Sequence, residues 1–297
     1  MNYKKLFTYS SLHFVNFLFG GPPIPIAIGI GARPRFNEGS RKAELFATSP
    51  RSFLAVGFPL LSLAVVLLIL PISSSSFAQV DKKYLLGQFD ESNDARFIKL
   101  DDTHTKGSAV GKYLRKETYE AFIKMATAAK QDGVNLFIIS ATRNFDAQKG
   151  IWENKWEGKT LVQGKNLTTV TNLQERAKLI LLYSSMPGTS RHHWGTDMDL
   201  NSLENSYFAS GEGLKIYQWL TAHAKEFGFC QPYTSKASGR TGYEEEKWHW
   251  SYLPLSSELL KSYVKSINYS DIKGFKGSEI AKPIKAIEKY VQGVSCK

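Results

Sequence analysis

Cysteine is scarce in this sequence: Cys230 and Cys296 are the only two among 297 residues, and no CxxC spacing is present. A cysteine-ligated metal site is therefore not expected. If the chain is exported, the two thiols can pair and pin the C-terminal tail to the core. They can equally remain separate, and the sequence leaves both alternatives open.

Internal repeats, long low-complexity tracts and nucleic-acid-binding motifs are also absent from the sequence. Hydrophobic residues make up 42% and charged residues 22%, which is ordinary for a globular protein. The length suffices for one sizeable domain or two small ones. Residues 1–78 account for +5 of the formal net charge of +11, and we interpret the remaining +6 as a solvated basic surface suited to a polyanionic surrounding such as a cell wall. No nucleic-acid partner is expected.

The N-terminal quarter of the chain differs in composition from the rest. Residues 1–50 are rich in glycine and proline, and we predict an unstructured or mis-annotated extension. Residues 51–78 have the order of a secretory signal peptide: a basic residue, the uncharged apolar run 53–71, and small residues before a cleavage point. The alternative is an uncleaved membrane anchor, because the run approaches the length that spans a bilayer. Both place the remainder outside the cytoplasm, in the periplasm or cell envelope.

Hydrophobic spacing in residues 79–297 predicts a mixture of helices and short strands. The segment 80–110 is polar, with little regular structure expected. Predicted helices occupy the stretch that ends at Gly133, the region after residue 145, and residues 172–184, 211–228, 255–267 and 278–292. Predicted strands occupy 134–140, 192–199 and 246–253. Helices and strands do not alternate as a parallel sheet requires, so we predict an α+β fold with a small antiparallel sheet flanked by helices.

The segment SRHHWGTDMDL, residues 190–200, places two aspartates two residues apart beside two histidines. If residues 192–199 form a strand, Asp197 and Asp199 lie on the same face. Two carboxylates on one face repel unless a cation or a basic group lies between them, and burial increases the cost. A histidine adds a nitrogen ligand, and this mixed donor set suits zinc.

A second cluster, EEEKWHW, supplies Glu246 and His249 three residues apart. A glutamate near a metal-bound histidine can act as the general base toward a metal-bound water. Two histidines and one aspartate with an open position are typical of a catalytic zinc site. A single His–Asp pair is more often a hydrogen-bonded pair, but the two clusters together favour a metal site.

Three segments resemble motifs of the VanY-like D-alanyl-D-alanine carboxypeptidases, which are LAS-type zinc peptidases related to the hedgehog fold. SRHHWGTDMD is similar to SxHxxGxxxD, EKWH to ExWH, and SATRNFDAQ, residues 140–148, to SxxRSxxxQ. The resemblance covers about residues 85–270. It implies a single catalytic domain over 79–297 with a hedgehog/DD-peptidase-like fold.

The resemblance implies a role for each motif residue. The implied ligands of one zinc ion per chain are His192, Asp199 and His249. Glu246 falls on the catalytic base. The implied substrate-binding residues are Arg143, Gln148, Ser190 and Ser140. Arg143 and Gln148 fall on the pair that binds the substrate's terminal residue, and a guanidinium suits a carboxylate because it can bind both oxygens.

Asp197 stands where the family commonly has a small residue. It either orients a ligand histidine from behind or pairs with a basic side chain such as Arg191, and both interpretations remain open. His193 and Trp248 are further candidates for supporting contacts around the site.

The function implied is that of an exported, monomeric zinc carboxypeptidase that removes the terminal D-amino acid from peptidoglycan stem peptides. An L,D-carboxypeptidase and a stem-peptide endopeptidase remain alternatives within the family. A non-catalytic, metal-bearing cell-wall-binding module is the alternative of another class, and Glu246 argues against it because a binding module needs no base. Histidine ligands argue against calcium, which prefers oxygen.

Overall fold

The computed structural model describes residues 80–296. The predictions for residues 1–50 and for the signal peptide or anchor at 51–78 lie outside this range. Between residues 80 and 296, every helix is too short or too polar to cross a membrane.

The secondary structure mixes helices with short strands. The α-helices are α1 (Lys82–Leu85), α2 (Lys116–Gln131), α3 (Phe145–Trp156), α4 (Leu173–Ile180), α5 (Gly211–His223) and α6 (Leu253–Ser266). The strands are β1 (Phe97–Lys99), β2 (Tyr113–Arg115), β3 (Ile138–Ser140), β4 (Asp197–Leu200), β5 (Phe229–Cys230) and β6 (His249–Tyr252). Strands β1 and β2 form an antiparallel pair. The other four form an antiparallel sheet in the order β3-β4-β6-β5, which confirms the predicted α+β class.

Strand β4 separates the apolar core from the polar side of the sheet. Its residues Met198 and Leu200 are fully buried in a hydrophobic cluster that also contains residues of α2 and α5. Because side chains alternate along a strand, Asp197 and Asp199 project to the opposite face. This alternation places two carboxylates together on the side where β6 contributes His249.

The predicted strand over residues 192–199 is wrong in its first half. Residues Arg191–Trp194 form a 3-10 helix, and β4 begins only at Asp197. The turn between them depends on Gly195, whose φ of 70° is left-handed and whose missing Cβ leaves room for the ring of Phe97. The predicted closing helix at 278–292 is also irregular, with a 3-10 turn at Ser278–Ile280 and a π-helical turn at Ile287–Val291.

The structure joins Cys230 and Cys296 in a disulfide, with their Cα atoms 6.4 Å apart. The bond ties the C-terminal tail to β5, the edge strand of the sheet. A cross-link with a sequence separation of 66 removes much conformational entropy from the unfolded chain.

Replacing both cysteines by serine is expected to lower the free energy of unfolding by about 4 kcal/mol, because the unfolded chain regains that entropy. Urea unfolding under oxidising conditions measures the difference. Wild-type protein treated with a reductant should match the double variant. An unchanged free energy of unfolding would show that the disulfide contributes nothing to stability.

Candidate active site

Antiparallel pairing brings together a group of residues that are distant in the sequence. His192 lies on the 3-10 turn before β4, Asp199 lies within β4, and His249 begins β6. The pairing of β4 with β6 sets Asp199 directly opposite His249. One ligand atom from each of the three residues lies within 4.8 Å of the others, so the group can hold a metal ion.

Two atoms in this group are buried without a hydrogen-bond partner among residues 80–296: Nε2 of His192 and Oδ1 of Asp199, which are 3.4 Å apart. Nδ1 of His192 lies 2.9 Å from the carbonyl oxygen of Ala141, which leaves Nε2 as the free nitrogen. Burial lowers the pKa of His192, so the neutral ring is favoured. Unpartnered buried polar atoms are costly, and a bound cation would satisfy both of them.

The charge around His249 also favours a cation. Its Nδ1 lies 3.0 Å from Oε2 of Glu246 and 3.4 Å from Oδ1 of Asp199. Burial lowers the pKa of His249, but hydrogen bonds to Asp197 and Glu246 outweigh burial and raise this pKa to about 9. The carboxylates of Asp197, Asp199 and Glu246 therefore favour a positive charge next to His249. A bound metal ion can supply that charge.

Glu246 lies at the edge of the metal-binding group and is 5% exposed. Burial raises the pKa of Glu246, while the hydrogen bond from His249 opposes the shift. A carboxylate with a raised pKa accepts a proton more readily than an exposed one. This property suits a group that takes up a proton and later releases it.

Arg143 is held in place by two of the predicted residues. Its Nη1 donates to Oγ of Ser140 at 2.6 Å, and its Nε donates to Oε1 of Gln148 at 3.0 Å. Gln148 is fixed in turn by donating to the backbone carbonyl of Ser185. The Arg143 side chain remains 25% exposed, with Nη1 3.7 Å from Asp199. The guanidinium can therefore meet a ligand beside the metal-binding group.

The other predicted residues occupy distinct places around the site. Oγ of Ser190 is buried without a hydrogen-bond partner in the described part of the chain. His193 donates from Nδ1 to the carbonyl oxygen of Arg143 and accepts at Nε2 from the N–H of Gly188, and burial lowers its pKa to about 3. The neutral His193 ring thus links the backbone of Arg143 to that of Gly188 behind the site. Trp248 packs its ring 6.1 Å from that of Tyr183.

Asp197 contacts both a basic side chain and a candidate ligand histidine. Its Oδ2 accepts from Nε of Arg191 at 2.8 Å and lies 3.0 Å from Nε2 of His249. Burial would raise the pKa of Asp197, but the charge of Arg191 and the hydrogen bond from His249 hold this pKa far below its usual range. Asp197 is therefore ionised behind the metal-binding group.

A cavity of about 670 Å³ joins these residues. The predicted residues that line it are Arg143, Gln148, Ser190, His192, Asp199, Glu246, Trp248 and His249. The remaining predicted residues, Ser140, His193 and Asp197, are buried and contact lining residues from behind. The volume is in the range of small-molecule binding sites.

Sequence reasoning missed several residues of the cavity wall. They include Ile151, Lys155, Tyr183, Ser185, Asn205 and Tyr233. Helical spacing from Gln148 points to Ile151 and Lys155, which follow three and seven residues later on the same face of α3. Tyr233, whose ring lies 4.7 Å from that of His249, follows β5 in irregular backbone, where no periodic signal exists.

Comparisons with known proteins point to the family that the three sequence motifs resemble. Residues 111–255 match the family described as VanY, D-alanyl-D-alanine carboxypeptidase. A putative carboxypeptidase, YodJ, of Bacillus subtilis is 31% identical over 147 residues, which are 48% of this chain and 47% of the relative. A D-alanyl-D-alanine carboxypeptidase of Enterococcus faecalis is 28% identical over 130 residues, 44% of each chain. The chain spans about half the length of these curated relatives.

Solved structures with a similar fold include the LdcB LD-carboxypeptidase and VanYB in complex with D-alanine-D-alanine. The first is 22% identical with a TM-score of 0.42, covering 69% of this chain and 81% of that one. The second is 22% identical with a TM-score of 0.43, covering 59% and 91%. Residues 111–255, just under half of this chain, thus match the VanY family of D-alanyl-D-alanine carboxypeptidases.

Proposed function

We propose that residues 79–297 form an extracytoplasmic zinc carboxypeptidase that removes the terminal D-amino acid from peptidoglycan stem peptides. The observation that carries this proposal is the convergence of His192, Asp199 and His249 with Glu246 and Arg143 in one cavity. The match to the VanY family supports the reaction class. The name of the Enterococcus faecalis relative supports the choice of substrate.

Zinc fits the donor set. Two imidazole nitrogens and one carboxylate oxygen are ligands typical of catalytic zinc sites, and the unpartnered Nε2 of His192 is available to a metal. Zinc at such a site supplies a Lewis acid that polarises a carbonyl group and makes water more acidic. The metal is proposed at one ion per chain.

Glu246 is the proposed general base. It would take a proton from the attacking water and deliver that proton to the amine nitrogen of the departing D-amino acid. Its burial in the cavity wall, next to His249, keeps competing bulk water away from the carboxylate. The raised pKa described above suits both halves of this transfer.

Arg143 is the proposed recognition group for the free end of the peptide. Its guanidinium would bind the terminal carboxylate through two hydrogen bonds, which restricts cleavage to the last residue. Ser140 and Gln148 already hold the guanidinium in place, so less conformational entropy is lost on binding.

Replacing Arg143 by lysine is expected to lower kcat/KM about 10- to 100-fold for a peptide with a free C-terminal carboxylate. An ammonium group cannot bind both carboxylate oxygens as a guanidinium can. The measurement compares that peptide with its C-terminal amide. Wild type should prefer the free acid, and the variant should lose most of the preference. Arg96→Lys, which changes an exposed arginine paired with Asp94, is the matched control. An unchanged preference in R143K would rule out this role.

The decisive experiment measures bound zinc and reaction products on the same preparation. Residues 80–297 are purified, metal is quantified, and the protein is incubated with pentapeptide and tetrapeptide stems. One zinc per chain with loss of one alanine from the pentapeptide alone supports the proposal. Cleavage of the tetrapeptide would indicate an L,D-carboxypeptidase. A cut inside the stem would indicate an endopeptidase, and zinc without any cleavage a wall-binding module.

A further inference from the structure

Asp197 is a completely buried carboxylate directly behind the metal-binding group. Its Oδ2 accepts from Nε of Arg191 at 2.8 Å and faces Nε2 of His249 at 3.0 Å. Its Oδ1 accepts from the hydroxyls of Thr196 and Ser251, both at 2.8 Å. Both oxygens are therefore engaged, and the carboxylate has no freedom to rotate.

This fixed carboxylate determines which nitrogen of His249 carries the proton. Both oxygens of Asp197 already accept hydrogen bonds from neighbouring donors, so the carboxylate acts as an acceptor and the nitrogen facing it, Nε2, is the donor. The other nitrogen, Nδ1, lies on the side of the metal-binding group, 3.4 Å from Oδ1 of Asp199 and 3.0 Å from Oε2 of Glu246. A hydrogen bond at one ring nitrogen fixes the tautomer and the ring orientation, and so makes the other nitrogen the metal ligand.

Arg191 compensates the buried charge and links two parts of the site. It is 2% exposed, and its Nη2 donates to Oγ of Ser251 at 2.6 Å. Arg191 is the chain neighbour of His192, while Asp197 lies on the same strand as Asp199. The ion pair therefore connects the backbone segments that carry His192 and Asp199, and the hydrogen bond to Ser251 adds β6, which carries His249.

We propose that Asp197, held by Arg191, is a positioning residue for the metal ligand His249. It keeps the ring in the Nε2-protonated form, so that Nδ1 is presented to the metal. This inference rests on the proposed metal site. It does not require any particular peptide substrate.

The first test examines the wild-type protein by NMR, with isotope-labelled histidine and a spin-active cadmium ion in place of zinc. We expect coupling of the metal to Nδ1 of His249 and to Nε2 of His192. The Nε2 proton of His249 should exchange slowly with water, because it is donated to a buried carboxylate. Coupling through Nε2 of His249 would overturn the proposal.

The second test separates positioning from simple charge balance. Arg191→Met/Asp197→Ala removes both charges together, so no buried charge is left unpaired and stability should remain close to that of wild type. If Asp197 positions His249, this double variant should still bind zinc about 10- to 100-fold more weakly. If Asp197 only balances Arg191, the double variant will bind zinc with wild-type affinity, which would overturn the proposal.

Ser256→Ala is the matched control for these variants. Its Oγ lies 2.9 Å from that of Ser251, so the substitution alters the network without touching Asp197 or His249. Its zinc affinity should equal that of wild type. If the double variant does not fold, the NMR measurement on wild type decides alone. Zinc binding without cleavage of any stem peptide would overturn the proposed function while leaving the positioning role intact.

Discussion

Glu246→Gln is expected to lower kcat about 100- to 10,000-fold while one zinc ion stays bound per chain. The substitution preserves size, but an amide cannot accept the proton of the attacking water. Glu246 is not one of the three residues whose ligand atoms converge, so its loss should leave the metal in place. Release of the terminal amino acid, followed by mass spectrometry, measures kcat. Elemental analysis measures zinc.

Glu245→Gln is the matched control for this experiment. Glu245 is the preceding residue in the same acidic run and is half-buried, and its side chain makes no hydrogen bond within the described part of the chain. The control variant should turn over at the wild-type rate. Normal turnover in E246Q would refute the role of general base. Loss of zinc in E246Q would instead assign Glu246 to the coordination of the metal.

The strands were predictable where alternation of apolar and polar residues continues without interruption. In residues 197–200 this alternation is imposed by burial, since Met198 and Leu200 enter the core and the aspartates do not. It fails at Arg191–Trp194 because three consecutive polar side chains are buried there before the tryptophan, so polar and apolar positions do not alternate. The left-handed backbone at Gly195 ends the turn, and the sequence shows only a glycine at that position.

The motifs that converge at the candidate site could be read from the sequence, but their spatial arrangement could not. The motif SATRNFDAQ begins at the end of β3, SRHHWGTDMD leads into β4, and EKWH leads into β6. The sheet order β3-β4-β6 therefore brings the three motifs together. No local signal reports this order, because Asp199 and His249 are paired across the sheet and are far apart in the chain. The same pairing sets Asp197 opposite Ser251, a residue that sequence reasoning overlooked.

The loss of one candidate ligand should affect metal binding far more than the loss of a supporting contact. Loss of a supporting residue typically weakens metal binding by up to about 100-fold. In His192→Ala we expect a larger fall in zinc affinity and no measurable carboxypeptidase activity. His192 offers the only imidazole of the group whose free nitrogen has no protein partner among residues 80–296. Its removal leaves two ligands, which are too few for a stable zinc site.

Thermal unfolding with and without zinc measures this effect without any substrate. A metal that binds only the folded state stabilises it by about 2.7 kcal/mol when its concentration is a hundred times Kd. Zinc should therefore raise the Tm of wild type and leave the Tm of His192→Ala unchanged. His223→Ala, at the half-exposed end of α5, should respond like wild type. If zinc raised the Tm of His192→Ala as much as that of wild type, the metal would bind elsewhere in the protein. The proposed mechanism, which depends on zinc at this site, would then be wrong.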